Sequence, residues 1–258
     1  MSEAIQEISA MTLRWFRRLR REPITLIFGL LQPMLFWLIL FGNQFKNVAQ
    51  LPGLQSGDYI TFLTGGVIGM TVLNSGLAGG VDLLFDKENG LLERLLAAPI
   101  YRSSLILSRF LFVMVITGAQ LLALLGVAYL LFGVYPVSGL GGIVLILFIG
   151  MMFGLGLISI SLALALRIKG HGAFFSLIGF FSTPLIFLSS ALVPLQTMPL
   201  WMKALAWVNP MTYAIDGIRA LILHGFLWGV FLQVFGVLIF FDALCLIGSN
   251  YVFKQNLG

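Results

Sequence analysis

Six apolar runs joined by short polar connections restrict this chain to a membrane-embedded helical fold. They cover residues 24–41, 59–84, 105–132, 140–166, 174–193 and 226–249. About 20 apolar residues carry a helix across the hydrocarbon of a bilayer. Lipid offers no hydrogen bonds, so each run must satisfy its own backbone, which a helix does within one segment. Of the 258 residues 59% are hydrophobic and 10% charged, whereas a soluble domain carries roughly 25% charged residues. Little is left for a water-facing core, and the reading is a single membrane domain over residues 1–258. The first run does not read as a cleavable signal, because its charged leader is too long and no small-residue cleavage site follows. Cys245 is the only cysteine and lies in an apolar run, so neither a disulfide framework nor a thiolate metal site is expected.

The basic residues orient the spans. Arg14, Arg17, Arg18, Arg20, Arg21, Lys87, Arg94, Arg102, Arg109, Arg167, Lys169 and Lys254 fall in one set of connections, and Lys46, Lys203 and Arg219 in the other. Twelve against three puts both termini in the cytoplasm under the positive-inside rule. The formal charge of +5 therefore reports membrane orientation, and no nucleic-acid partner is expected.

Residues 3–22 precede the first span. Ile5, Ile8, Thr12, Trp15 and Leu19 make one helical stripe, with Glu7, Arg14, Arg17, Arg18 and Arg21 opposite. The pattern predicts an amphipathic helix in the bilayer interface, Trp15 at headgroup level and the arginines near anionic lipid, ending at Glu22-Pro23. The external loop 42–58 contains Pro52-Gly53 and is too short for a large ectodomain. Residues 194–224 carry two short helical patterns interrupted at Asn209-Pro210. Neither can span, so they read as a re-entrant pair before the sixth span, residues 226–249, and the tail 250–258. The expected fold is all-α and integral to the membrane: six transmembrane helices, the interface helix, a cytoplasmic docking helix and the re-entrant pair.

Catalysis finds little support. His171 and His224 are far apart, and neither HExxH nor GxSxG occurs. No GxxxxGK[ST] occurs either, so nucleotide must bind elsewhere if ATP drives this protein. Polar residues inside spans are costly and informative: Gln32, Asn74, Gln120 and Asp242 are the candidates. The amides serve helix packing or substrate contact, and Asp242 either pairs with a neighbouring helix or has a role of its own. Asp216 and Arg219 stand at i,i+3 on the second re-entrant helix and are expected to pair as a structural staple.

Residues 85–99 form the most patterned connection. Leu91, Leu92, Leu95 and Leu96 make an apolar stripe beside Lys87, Glu88, Glu93 and Arg94, with Gly90 near the start and Pro99 at the stop. A solvated loop has no use for four leucines in six residues. They rest on lipid, on the chain itself or in a partner's groove, and the pattern alone leaves these open.

Residues 85–99 followed by Arg102 and Arg109 resemble the cytoplasmic coupling segment of ATP-binding-cassette (ABC) type 2 exporter permeases, particularly the drug-exporter-like branch. Met198-Pro199-Leu-Trp201, Asn209-Pro210-Met-Thr-Tyr213, Asp216 and Arg219 resemble that family's external signature, and the arginine-rich helix before Pro23 its connecting helix. The resemblance implies a permease in the plasma (inner) membrane, its partners a separate ABC ATPase subunit and a second permease copy. ATP and Mg would sit on that ATPase, with no cofactor or metal on this chain. It places Glu88, Asn89, Gly90, Leu91, Glu93, Arg94 and Leu95 at the ATPase contact, and a path for amphipathic cargo between protomers, lined by the second and fifth spans. Export of a polysaccharide or lipid-linked glycan is the alternative within the family, and a non-transporting scaffold or assembly factor the alternative outside it.

Overall fold

The computed structural model describes residues 2–21, 23–45, 59–98 and 100–257, and those residues are helical with no strand among them. In chain order the helices are α1 (Ser2–Arg21), α2 (Pro23–Gln32), a π-helical stretch (Pro33–Phe41), α3 (Gly42–Phe45), α4 (Tyr59–Ala78), α5 (Val81–Glu88), α6 (Leu91–Ala97), α7 (Arg102–Phe132), α8 (Gly139–Arg167), α9 (His171–Phe187), α10 (Leu200–Val208), α11 (Pro210–Leu223) and α12 (Trp228–Leu257). Glu22, Lys46, Pro52-Gly53, Pro99 and Gly258 lie outside the described residues.

Among the described residues five segments are long and apolar enough to cross a membrane: Ile27–Phe45, Tyr59–Glu88, Arg102–Phe132, Gly139–Arg167 and Trp228–Gln255. The fifth apolar run of the sequence behaves differently. Its helix α9 has 17 residues, about 26 Å at 1.5 Å per residue, short of the roughly 30 Å hydrocarbon core. Pro184 sits inside its last turn, and the chain leaves the helix at Leu188 instead of continuing to Val193. The apolar run predicted the composition correctly and the helix length incorrectly.

The core is built around α4, which is buried on almost every face. Glycines permit that density. A Cβ on Gly66 would lie 2.0 Å from the Ala191 carbonyl oxygen, and one on Gly80 2.3 Å from that of Ser161. Gly76 packs on Leu157 and Gly150 on Leu121, so these small-residue positions serve packing within the chain. The helix is interrupted at Gly79-Gly80, yet its freed backbone groups find partners. Ser161 Oγ accepts from the Gly80 amide at 2.8 Å and donates to the Leu77 carbonyl, while Arg109 Nε donates to the Gly79 carbonyl at 2.7 Å. A broken helix at membrane depth is tolerated only with such substitutes.

The two short helices before α12 form as expected and differ sharply in environment. α11 is packed against α4, α8 and α12, with Met211, Ala214, Ile215 and Ile218 fully buried. α10 exposes Leu200, Trp201, Trp207 and Val208. Lys203 lies over the Trp207 ring, an arrangement suited to a membrane–water boundary. Asn209 organises the turn between them. Its side chain caps α11 by accepting from the Met211 amide at 3.0 Å, and its Nδ2 donates to the Leu185 and Leu188 carbonyls at 2.8 Å. Leu185 lies in the last turn of α9 and Leu188 is its C-cap, where helix carbonyls lack intrahelical donors.

Candidate functional site

The end of the molecule carrying α1, α5 and α6 has its own apolar cluster, formed by Trp15, Leu83, Leu84, Leu92, Phe112, Phe174 and their neighbours. Residues 85–99 are not one helix there. α5 ends at Glu88, Asn89-Gly90 makes a turn, and α6 runs from Leu91 to Ala97. Gly90 has φ +68°, a left-handed conformation that glycine adopts without strain. The stripe of leucines is divided by this geometry. Leu92 is 5% exposed and Leu95 and Leu96 pack against the same cluster, whereas Leu91 is 36% exposed. Asn89, Glu93 and Arg94 are also exposed. A surface of Asn89, Leu91, Glu93 and Arg94 therefore projects from a segment anchored by Leu92 and Leu95.

That anchorage continues through charge. Arg14 bonds Asp86 at 2.7 Å, Arg18 lies 3.6 Å from Asp82 and 3.7 Å from Asp86, and Arg109 meets Asp82 at 2.5 Å. Arg109 is only 4% exposed and stands over the rings of Trp15 at 4.6 Å and Phe112 at 5.1 Å. Trp15 is buried against Phe112, and Arg14 and Arg18 face carboxylates, so these three residues do not take the headgroup positions expected of them. The reason is electrostatic matching: Arg14 and Arg18 are four apart on α1, Asp82 and Asp86 four apart on α5, and the two ladders face each other. That shared spacing is the signal by which the sequence could have revealed the cluster.

The C-terminal pair of α5 reaches the turn between α8 and α9. Lys87 Nζ donates to the Ala165 carbonyl at 3.3 Å, the Ile168 carbonyl at 3.2 Å and also the Leu166 carbonyl. Glu88 accepts from the Gly170 amide at 3.0 Å and contacts His171 Nδ1. A cation thus sits on a helix C-terminus and a carboxylate on the next N-terminus, each at the favourable end of the dipole. Glu88, expected at a partner contact, is occupied within the chain. The Phe85 and His171 rings pack beside it, tilted to each other, with centroids 3.9 Å apart.

Three of the four intramembrane polar candidates converge. Gln32, Asn74 and Gln120 line one cavity of about 440 Å³ among α1, α2, α4, α7 and Phe175 of α9. Gln120 Oε1 is buried there without a hydrogen-bond partner among the described residues. Asp242 does not join them. It lies on α12 against Gly156 of α8, 9% exposed, its Oδ1 likewise unpartnered. The Asp216–Arg219 pair forms with more partners than spacing suggested. Arg219 donates to Asp216 at 3.2 Å, the Ser190 carbonyl at 2.8 Å and the Phe62 carbonyl at 3.2 Å, its guanidinium 3.6 Å from the Phe62 ring centroid. Ser190 Oγ donates to Asp216 at 2.7 Å. No group of three His, Cys, Asp or Glu able to hold a metal occurs among the described residues.

The ABC-2 type transporter family model matches residues 6–223, and the chain belongs to that family. It is 38% identical over 218 residues to a protein named as transport permease ycf38 of Porphyra purpurea, covering 84% of this chain and 74% of that one. It is 26% identical over 253 residues to a protein named as doxorubicin resistance ABC transporter permease DrrC of Mycobacterium tuberculosis (strain ATCC 25618 / H37Rv), covering 96% and 85%. A protein named as multidrug ABC transporter permease YbhR of Escherichia coli (strain K12) is 23% identical over 160 residues, 62% of this chain and 43% of that one. These relatives align the chain with the drug-exporter-like permeases.

Proposed function

We propose that this chain is the permease subunit of an ATP-driven exporter, powered by a separate ATPase that docks on α6. The observation that carries the reading is the division of α5–α6. Leu92 and Leu95 fasten the segment to the bundle, and Asn89, Leu91, Glu93 and Arg94 remain outside it. A loop held so firmly, with an apolar residue left at the centre of its outer surface, fits a lever with a partner on its far side. Closure of the ATPase would push α6. The push would pass through Lys87 and Glu88 to the α8–α9 turn, and through Asp82 and Asp86 to α1 and α7.

On this reading the arginine-rich end faces the cytoplasm with both termini, and the protein resides in the plasma (inner) membrane. α9 completes six crossings together with the turn that follows it, and α10–α11 enter and leave from the outer side. Two permease copies pair with two ATPases. The exposed Phe180, Phe181 and Phe187 of α9 suit a path between protomers for amphipathic, drug-like or lipid-like cargo. The relatives named for doxorubicin and multidrug transport favour such cargo over a polysaccharide.

Purification from its native membrane under mild detergent is the test. The expected result is a two-plus-two complex with a P-loop protein and ATP hydrolysis confined to fractions holding both chains. Hydrolysis by the permease alone would overturn the proposal.

A further inference from the structure

We infer that the cavity between α1, α2, α4 and α7 binds a single-chain amphiphile with an anionic head, within one protomer and apart from any path between protomers. Its volume of about 440 Å³ falls in the roughly 300–1,000 Å³ range of small-molecule sites, and is well short of a two-chain phospholipid. Its ends differ chemically. Arg18, Asp82 and Arg109 line one end, and Gln32, Asn74 and Gln120 the other. Arg109 and Gln120 are eleven residues apart on α7, hence about 16 Å along the helix, or half of the roughly 30 Å hydrocarbon core. Trp15, Phe112, Val113, Ile116 and Phe175 supply apolar wall between them. The site therefore has the length of one leaflet, a charged end and a greasy middle.

Arg109 indicates which head belongs there. Its Nε is used by the Gly79 carbonyl and its Nη2 by Asp82, but its Nη1 is buried with no partner among the described residues. A buried guanidinium nitrogen is strongly matched by an ionised oxygen, since charge-assisted hydrogen bonds are about twice as strong as neutral ones. With Arg14, Arg18 and Arg109 against Asp82 and Asp86, that end carries one more cation than anions, so a carboxylate or phosphate monoester head fits and a quaternary ammonium head does not. Such a ligand could be a lipid resident in the leaflet or a soluble amphiphile partitioning from water.

The inference does not depend on the ATPase, because binding is measured on the permease alone in phosphatidylcholine nanodiscs. The probe is dodecanoate carrying a diazirine in its tail, compared with a trimethylammonium compound of the same tail, with labelled peptides mapped by mass spectrometry. Saturable labelling of residues 71–78 and 112–120 is expected, with at least ten-fold preference for the carboxylate. Ala78→Phe fills the cavity and should reduce labelling ten-fold or more at unchanged melting temperature. Arg109→Gln should abolish the preference for the anion. Should that variant fail to fold, the head-group comparison and Ala78→Phe still decide. Competition by lysophosphatidic acid, a single-chain phosphate monoester, as well as by dodecanoate would identify a resident lipid, and competition by dodecanoate alone a soluble amphiphile. Equal labelling by both heads, or full labelling of folded Ala78→Phe, would overturn the inference.

Discussion

Leu91→Asp is expected to leave the permease folded and inserted while it loses its ATPase and its export. Leu91 stands on the outer surface of α6 with 36% of its surface exposed, against 5% for Leu92. An added carboxylate there remains hydrated until a partner's apolar groove has to accept it. Desolvating that charge without a counter-ion costs several kcal/mol, at least a hundred-fold in affinity at ~1.4 kcal/mol per factor of ten. Leu92→Asp is the internal control, one residue along. Leu92 is buried among Leu83, Leu84 and Phe174, so the same chemistry falls on folding. Leu95→Asp should resemble Leu92→Asp, because Leu95 also packs on that cluster. Gly90→Pro combines both effects: proline fixes φ near −65° where the chain needs +68°. The measurement is ATPase captured per folded, monodisperse permease. Unchanged capture by Leu91→Asp would remove α6 from the interface.

Arg219→Ala should be the most destabilising substitution at the opposite end. It leaves Asp216 without its ion pair and the Phe62 and Ser190 carbonyls without their donor. Breaking a fully buried pair by removing one partner costs about 3–5 kcal/mol; the Asp216 side chain is 39% exposed, so the cost falls below that range yet still lowers the yield of folded protein. Asp216→Asn should be much milder. The amide oxygen still accepts from Ser190, and Arg219 keeps its two backbone acceptors. Thermal unfolding in detergent, followed by near-ultraviolet dichroism, should rank the variants in that order. Equal melting temperatures would show that the cluster contributes little.

Which parts of this structure were legible beforehand follows from the range of the interactions involved. The long apolar helices, the break at Asn209-Pro210 and the Asp216–Arg219 pair depend on neighbours within one or two turns, and short-range pattern displays them. The length of α9 depended on Pro184 and on Ala191 seating against Gly66, a contact over more than a hundred residues that hydropathy does not register. The leucine stripe of residues 91–96 was visible. Its division into an outward Leu91 and inward Leu92 and Leu95 required the left-handed turn at Gly90 and the cluster beneath it. Arg14, Arg18 and Trp15 match a lipid-facing pattern in the sequence because their partners, Asp82, Asp86 and Phe112, lie 64 to 97 residues away on other helices. Gln32, Asn74 and Gln120 were recognisable singly as polar residues in lipid. Their convergence on one cavity needed three helices in place.

The docking claim is tested most directly by placing a photoactivatable benzoylphenylalanine at Arg94, on the exposed side of α6. Irradiating native membranes and sequencing the adduct identifies what lies against that surface. The account predicts an adduct with a chain containing a GxxxxGK[ST] loop, its yield changing with ATP and falling when Leu91→Asp is added. Adducts confined to lipid or to the permease itself, from a transporter competent for export, would contradict it.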